Sequence, residues 1–188
     1  MSVNQIQSTA LEALVVEFFR QSEGQWHSQR RYYTLNPNVA TQEVESQIQI
    51  KFLEKDCGEL RELAQLHALS PNISFVCGTY VTWESNYTGK IRKPSTGSTI
   101  FGALGNILYR DRGFATSDPV CAIYNFSNSQ TMTLKTEYGG SVFEEEIKLI
   151  GQQYRTRQTI ISRAGQEQMI GQYLEKRELA LKLKQNPL

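Results

Sequence analysis

Neither sign of charge dominates this chain of 188 residues, in which 20 lysines and arginines face 19 aspartates and glutamates. A near-neutral surface supplies no broad field to hold nucleic-acid phosphates or an anionic membrane, so any anion must be recognised locally. Histidine occurs only as His27 and His67, and cysteine only as Cys57, Cys77 and Cys121, with no CxxC pair. That scarcity argues against a metal site and a disulfide framework, and it fits thiols in a reducing compartment. No eighteen apolar residues follow one another, and the start lacks a basic segment leading into an apolar run and a cleavage site. A cytosolic protein without membrane association is expected. Catalytic triads are missing as well: His27 and His67 have no adjacent nucleophile motif, and Gly102 to Gly105 is too short to be a phosphate loop. His27 is expected on an exposed strand face and His67 on a helix surface.

What is present is apolar patterning. With 39% hydrophobic residues, a chain of this length can bury about 70% of its unfolded surface in one core. No linker or repeat divides it, so a single domain over residues 1–188 is expected. Thr9 and Glu12 have capping-box spacing, and Leu11, Leu14, Val15 and Phe18 follow on one face, predicting a helix over about 9–21. From Val44 the period becomes two, with Val44, Ser46, Ile48, Ile50 and Phe52 opposite Glu43, Glu45, Gln47, Gln49 and Lys51. A short helix is predicted over Gly58 to Leu69. Alternating segments follow at Ile73 to Trp83, Val120 to Phe126, Thr131 to Tyr138, Val142 to Leu149 and Tyr154 to Ser162. Their brief connections exclude parallel crossovers, so the expected fold is mostly β, an antiparallel meander closing into a barrel. Asn86 to Gly113 reads as a mobile loop with a short strand near Thr99 to Leu108. Residues from about Glu175 to the end read as a charged, partly helical tail that frays.

One strand breaks its own pattern. Phe143, Glu145, Ile147 and Leu149 share a side, which places Glu145 on the apolar face. A carboxylate entering a barrel interior loses several kcal/mol of hydration unless it finds donors. On the next strand, Arg155, Arg157, Thr159 and Ile161 share a side, and a hairpin around Gly151 brings the arginines near Glu145. Alternation alone leaves two readings open, a buried polar cluster or arginines facing water. It leaves two for Trp26 and Trp83 also, core filling or stacking on a ligand.

Phe18 and Phe19, then Gly24, Trp26, Ser28, Gln29 and Arg30, resemble the start of the S-type (CpcS/CpeS-type) phycobiliprotein lyases. The resemblance continues through Trp83, Gly97-Ser98-Thr99, Tyr124, Thr136-Glu137-Tyr138, Glu145 and Arg155-x-Arg157, from about Phe18 to Gln172. It implies a lipocalin-like or fatty-acid-binding-protein-like barrel of about ten strands with two or three peripheral helices. It also implies an activity: binding an open-chain tetrapyrrole, a bilin such as phycocyanobilin, and attaching it by a thioether to a cysteine of an apo-phycobiliprotein subunit. The bilin is then a transferred substrate, with no permanent cofactor and no metal. The setting implied is the cyanobacterial cytosol or plastid stroma.

Carried over residue by residue, the resemblance makes Glu145, Arg155 and Arg157 the catalytic group, with Arg30, Trp83 and Thr159 completing a bilin-binding set. Arginine's planar fork suits the two propionates of a bilin, and a carboxylate can accept its pyrrole N–H groups. Glu146, Thr159 and the segment Tyr173 to Arg177 depart from the family pattern. Such departures suit a subclass, including a non-catalytic partner that works as half of a heteromeric lyase, beside the homodimeric form. A bilin or fatty-acid carrier and a helper that docks on phycobiliprotein helices with an empty barrel are the competing readings.

Overall fold

The computed structural model describes residues 3–36, 38–88 and 94–178. Helix α1 (Val3–Ser22) leads into β1 (Gly24–Thr34) and β2 (Gln42–Glu54), then helix α2 (Gly58–Leu66). Eight strands follow: β3 (Cys77–Tyr87), β4 (Ser95–Leu104), β5 (Ile107–Arg110), β6 (Val120–Asn128), β7 (Thr131–Tyr138), β8 (Ser141–Ile150), β9 (Tyr154–Arg163) and β10 (Gln166–Arg177). Each pairs antiparallel with its neighbours in sequence, and β10 returns to β1 with Trp26 opposite Arg177, so the barrel is closed. Closure leaves no strand edge to recruit another chain.

The expected alternation holds along β2, where Val44, Ser46, Ile48, Ile50 and Phe52 are buried and the residues between them are exposed as far as Lys51. Between β7 and β8 the turn consists of Gly139 and Gly140, at φ 57° and 74°. A two-residue turn with both φ positive follows the twist of an antiparallel pair, and glycine adopts it without a Cβ penalty.

The two helices do different jobs. α1 closes one end of the barrel: Val15, Phe18 and Phe19 are buried in one cluster with Trp26, Ile50 and Leu149. Its placement is fixed by polar contacts at its middle and at its C-terminal end. Glu12 accepts a hydrogen bond from the Gly105 amide at 2.7 Å, Trp26 Nε1 donates to the Ser22 carbonyl at 2.9 Å, and Arg177 donates to the carbonyls of Gln21 and Glu23. A cation on the last carbonyls also complements the helix dipole. α2 lies on the outer wall, where Leu60 and Leu63 pack with Leu53 and Phe75.

Several expectations are corrected. α1 begins at Val3, six residues before the capping-box threonine. β3 begins at Cys77 rather than Ile73 and runs through Asn86 and Tyr87; residues 95–110, read as part of a mobile loop, form the β4–β5 hairpin. His67 is not a free surface residue: it follows α2, and its Nε2 donates to the Arg110 carbonyl at 2.9 Å. The segment from Glu175 to Arg177 belongs to β10, and the rest of the expected tail, from 179 on, lies outside the described residues.

Candidate functional site

The barrel encloses a cavity of about 550 Å³, within the common range for small-molecule sites. Phe18, Phe19 and Ser22 of α1 form its floor, and Ile48, Val81, Leu108, Met132, Leu134 and Ile147 form an apolar wall. The opposite wall is built from β1, β10, β9 and β8 and is charged.

Register explains that wall. Ser28, Glu175 and Arg155 stand directly opposite one another across β1, β10 and β9; two residues further along each strand, Arg30, Tyr173 and Arg157 form a parallel row. In the deeper row Arg155 Nε donates to Glu175, which also accepts from Ser28 Oγ at 3.2 Å. Glu175 is 1% exposed. Burial alone would raise its pKa, but the charge and hydrogen bond of Arg155, with Arg157 and Arg30 beyond, hold it below the ordinary carboxylate value. In the upper row Arg157 donates to Glu145, its diagonal neighbour on β8. Burial disfavours the Arg157 charge, yet Glu145, Tyr173 and Glu175 outweigh it, so the guanidinium is held firmly protonated. Arg157 and Arg30 lie over the Tyr173 ring at 5.2 and 5.5 Å from its centroid, and burial pushes the Tyr173 phenol up.

The six residues singled out from sequence fall as follows. Glu145, Arg155, Arg157, Arg30 and Trp83 all line the cavity. Thr159 does not; it stands opposite Glu145 across β8–β9, buried, with no hydrogen-bond partner for its hydroxyl among the described residues. The arginines do not both serve Glu145, because Arg155 is taken by Glu175. Trp26 is core, fully buried, with its indole between Arg155 and Arg177 at 4.9 and 4.2 Å. Trp83 lies against Gly97, its directly opposite residue on β4.

Sequence reading missed Glu175, Tyr173, Arg110 and Phe114. Glu175 and Tyr173 alternate correctly with Gln172, Leu174 and Lys176, but the inward phase carries a carboxylate and the outward phase carries Leu174, which blurs the usual strand signature. Arg110 belongs to the stretch read as a loop, and Phe114 directly follows it. The segment after β5 folds over the mouth, where Phe114 stacks on Phe143 at 5.0 Å and Tyr138 stacks on the same ring at 4.8 Å. Tyr138 Oη also accepts the Ala115 amide at 2.9 Å.

Among the described residues no group of three metal-ligating side chains forms, and the three cysteines are free thiols. Cys77 is buried in the core, its pKa pushed up to about 12 by burial, which suits no nucleophile. The site therefore offers a held carboxylate, guanidinium groups and aromatic faces around an apolar hollow. That set can bind and orient a large conjugated acid.

The model of the CpeS-like protein family matches residues 14–178. A provisionally named phycocyanobilin lyase, CpcS 2 of Nostoc sp., is 60% identical over 94% of this chain and 97% of its own. A provisionally named chromophore lyase, CpcV of Picosynechococcus sp., is 53% identical over 85% of this chain and 79% of its own. Among solved structures, the S-type phycobiliprotein lyase CPES from Guillardia theta superposes with a TM-score of 0.73, covering 96% of this chain and 99% of that one at 21% identity. At that identity the likeness speaks for the fold, the ten-stranded barrel read from the strands.

Proposed function

The chain belongs to the CpeS-like protein family, and we infer from that membership that it is a phycobiliprotein chromophore lyase. The substrate is a bilin, phycocyanobilin in our reading, and the product is its thioether with a cysteine of an apo-phycobiliprotein subunit. One observation carries the assignment to this cavity: the Glu145–Arg157 pair stands at the boundary between an apolar wall and a guanidinium-rich wall. A bilin has the same division, a conjugated apolar body with two propionates and a row of pyrrole nitrogens.

In the proposed mechanism Glu145 accepts the pyrrole N–H groups and favours the protonated, electrophilic chromophore, while Arg157 holds Glu145 and its own charge in place. Arg155 and Arg30 contribute positive potential for the propionates, Trp83 offers a stacking face, and Thr159 supports Glu145 from the adjacent strand. The acceptor's thiolate adds to the ethylidene carbon: the S–C bond forms as the exocyclic C=C π bond opens, and its electron pair, delocalised into the tetrapyrrole, takes up a proton. No nucleophile of this chain is required. Holding one conformer and excluding water gives rate and stereochemical selectivity over spontaneous addition. The reaction is placed in the cytosol or stroma, where thiols stay reduced.

The test mixes the recombinant protein with phycocyanobilin and an apo-phycobiliprotein carrying a single target cysteine. A shifted bilin absorbance and a covalent adduct formed faster than without the protein are expected. Unchanged absorbance together with no acceleration would overturn the reading, and tight fatty-acid binding without bilin binding would indicate a carrier instead.

A further inference from the structure

The charges of the cavity do not cancel. Arg155 is paired with Glu175 and Arg157 with Glu145, which leaves Arg110 at the end of β5 and Arg30 on β1 without an ion pair among the described residues. Arg30 Nε is buried and has no hydrogen-bond partner among the described residues. These two strands stand on different walls, separated in the barrel order by β2, β3 and β4 on one side.

Arg110 is placed as a binding group is placed. Its Nε donates to Thr99 Oγ1 at 3.1 Å, and Thr99 in turn donates to Asp111 at 2.6 Å, so the plane of the guanidinium is set by a neutral oxygen while the side chain lines the cavity. The guanidinium lies over Phe101 at 5.0 Å and over Phe114 at 4.6 Å. Continuing across the mouth, Arg157 lies over Phe114 at 5.9 Å and over Tyr173 at 5.2 Å, and Arg30 over Tyr173 at 5.5 Å. Phe101, Arg110, Phe114, Arg157, Tyr173 and Arg30 thus form one row in which rings and cations alternate. Burial depresses the Arg110 pKa; Glu145 and Asp111 favour its charge, while Arg157 opposes it. A cation held in this way gains from an anion that enters.

We propose that Arg110 is a carboxylate-anchoring residue of the bilin site, taking one propionate at the mouth while Arg30 takes the other across the cavity. The assignment rests on the bilin-lyase reading of the same cavity and adds to it a residue that the sequence pattern does not reveal. It also divides the labour among the arginines: the two paired with glutamates hold the site in shape and lend it positive potential, and the two that are unpaired contact the propionates directly.

The test compares phycocyanobilin with its dimethyl ester, titrated into wild type, Arg110→Met and Arg110→Lys by absorbance and tryptophan quenching. Wild type should prefer the free acid; Arg110→Met should lose about tenfold of that preference, the scale of one charge-assisted contact, and Arg110→Lys should keep part of it. The acid-to-ester ratio is internal to each variant, so partial unfolding lowers both affinities and leaves the ratio intact. A wild-type ratio retained in Arg110→Met overturns the role of Arg110 alone, with the lyase reading untouched. Failure of wild type to bind either form overturns both.

Discussion

Arg155 on β9 stands directly opposite Glu175 on β10, and its Nε donates to that carboxylate at 1% exposure of the glutamate. Ser28 on β1 completes the contact from the other side, so three strands meet at one carboxylate where the first and last strands of the barrel join. The pair is therefore a seam element first. Removing one partner of a buried pair leaves an uncompensated charge and costs about 3–5 kcal/mol. Glu175→Ala should lower the urea midpoint accordingly, and Arg155→Met/Glu175→Met should recover most of the loss. A single variant as stable as wild type would show that the seam does not depend on the pair.

The same carboxylate makes stability depend on pH. The folded-state pKa of Glu175 lies below the ordinary value of 4.5, so the unfolded chain binds that proton more readily than the folded one. The contribution is fully present above 4.5 and is lost as pH falls through the folded value. Melting temperatures of wild type and Glu175→Gln should therefore converge as pH is lowered from about 5. Parallel curves across that window would exclude the linkage.

For the reaction, Glu145 is the sensitive position. Replacing it by Gln keeps the volume and an acceptor oxygen but removes the negative charge that favours the protonated chromophore, so single-turnover attachment should slow by about 100-fold, the lower end of acid–base contributions. Bound bilin should also lose the red-shifted absorbance of its protonated form. A variant with a wild-type spectrum and rate would place the protonating group elsewhere.

The strands that sequence revealed are those with one wet face and one apolar face, as in β2, where Glu43 to Lys51 alternate with Val44 to Phe52. Glu145 was legible for the same reason, as a carboxylate in the phase of Phe143 and Ile147. β10 was not legible because its inward phase holds Tyr173, Glu175 and Arg177 while Leu174 faces out, half exposed. Polar residues inside a barrel reverse the sign of the pattern wherever the site is built, so the functional wall is the part that periodicity hides. Arg110 was hidden differently, at the end of a four-residue strand too short to show a period.

Phe114 gives a kinetic prediction. The residue is 37% exposed, yet its ring stacks on Phe143 and lies between Arg110 and Arg157 at the mouth. An aromatic contact of this kind contributes about 0.5–1.5 kcal/mol beyond burial. Phe114→Ala should accelerate bilin release by about two- to tenfold on that scale, with the association rate and melting temperature little changed. Slower release in the variant would mean that the ring obstructs the bound state instead of covering it.

Gly97 tests the stacking face without touching a charge. It stands opposite Trp83, and a Cβ there would lie 2.4 Å from Trp83 Cζ2 and 2.8 Å from Cε2, closer than side chains approach. The backbone at Gly97 is not in the left-handed region, so alanine is compatible with the strand and the indole must yield, at a cost of about 1–3 kcal/mol. Because Trp83 lines the cavity while Trp26 is sealed at the floor with its N–H on Ser22, a change in intrinsic fluorescence reports on Trp83. Gly97→Ala should alter that emission and weaken bilin binding, and Trp83→Phe in the same background should restore the melting temperature by relieving the contact. Unaltered emission with unaltered bilin affinity would show that the indole has room to spare and that its position beside Gly97 is core packing.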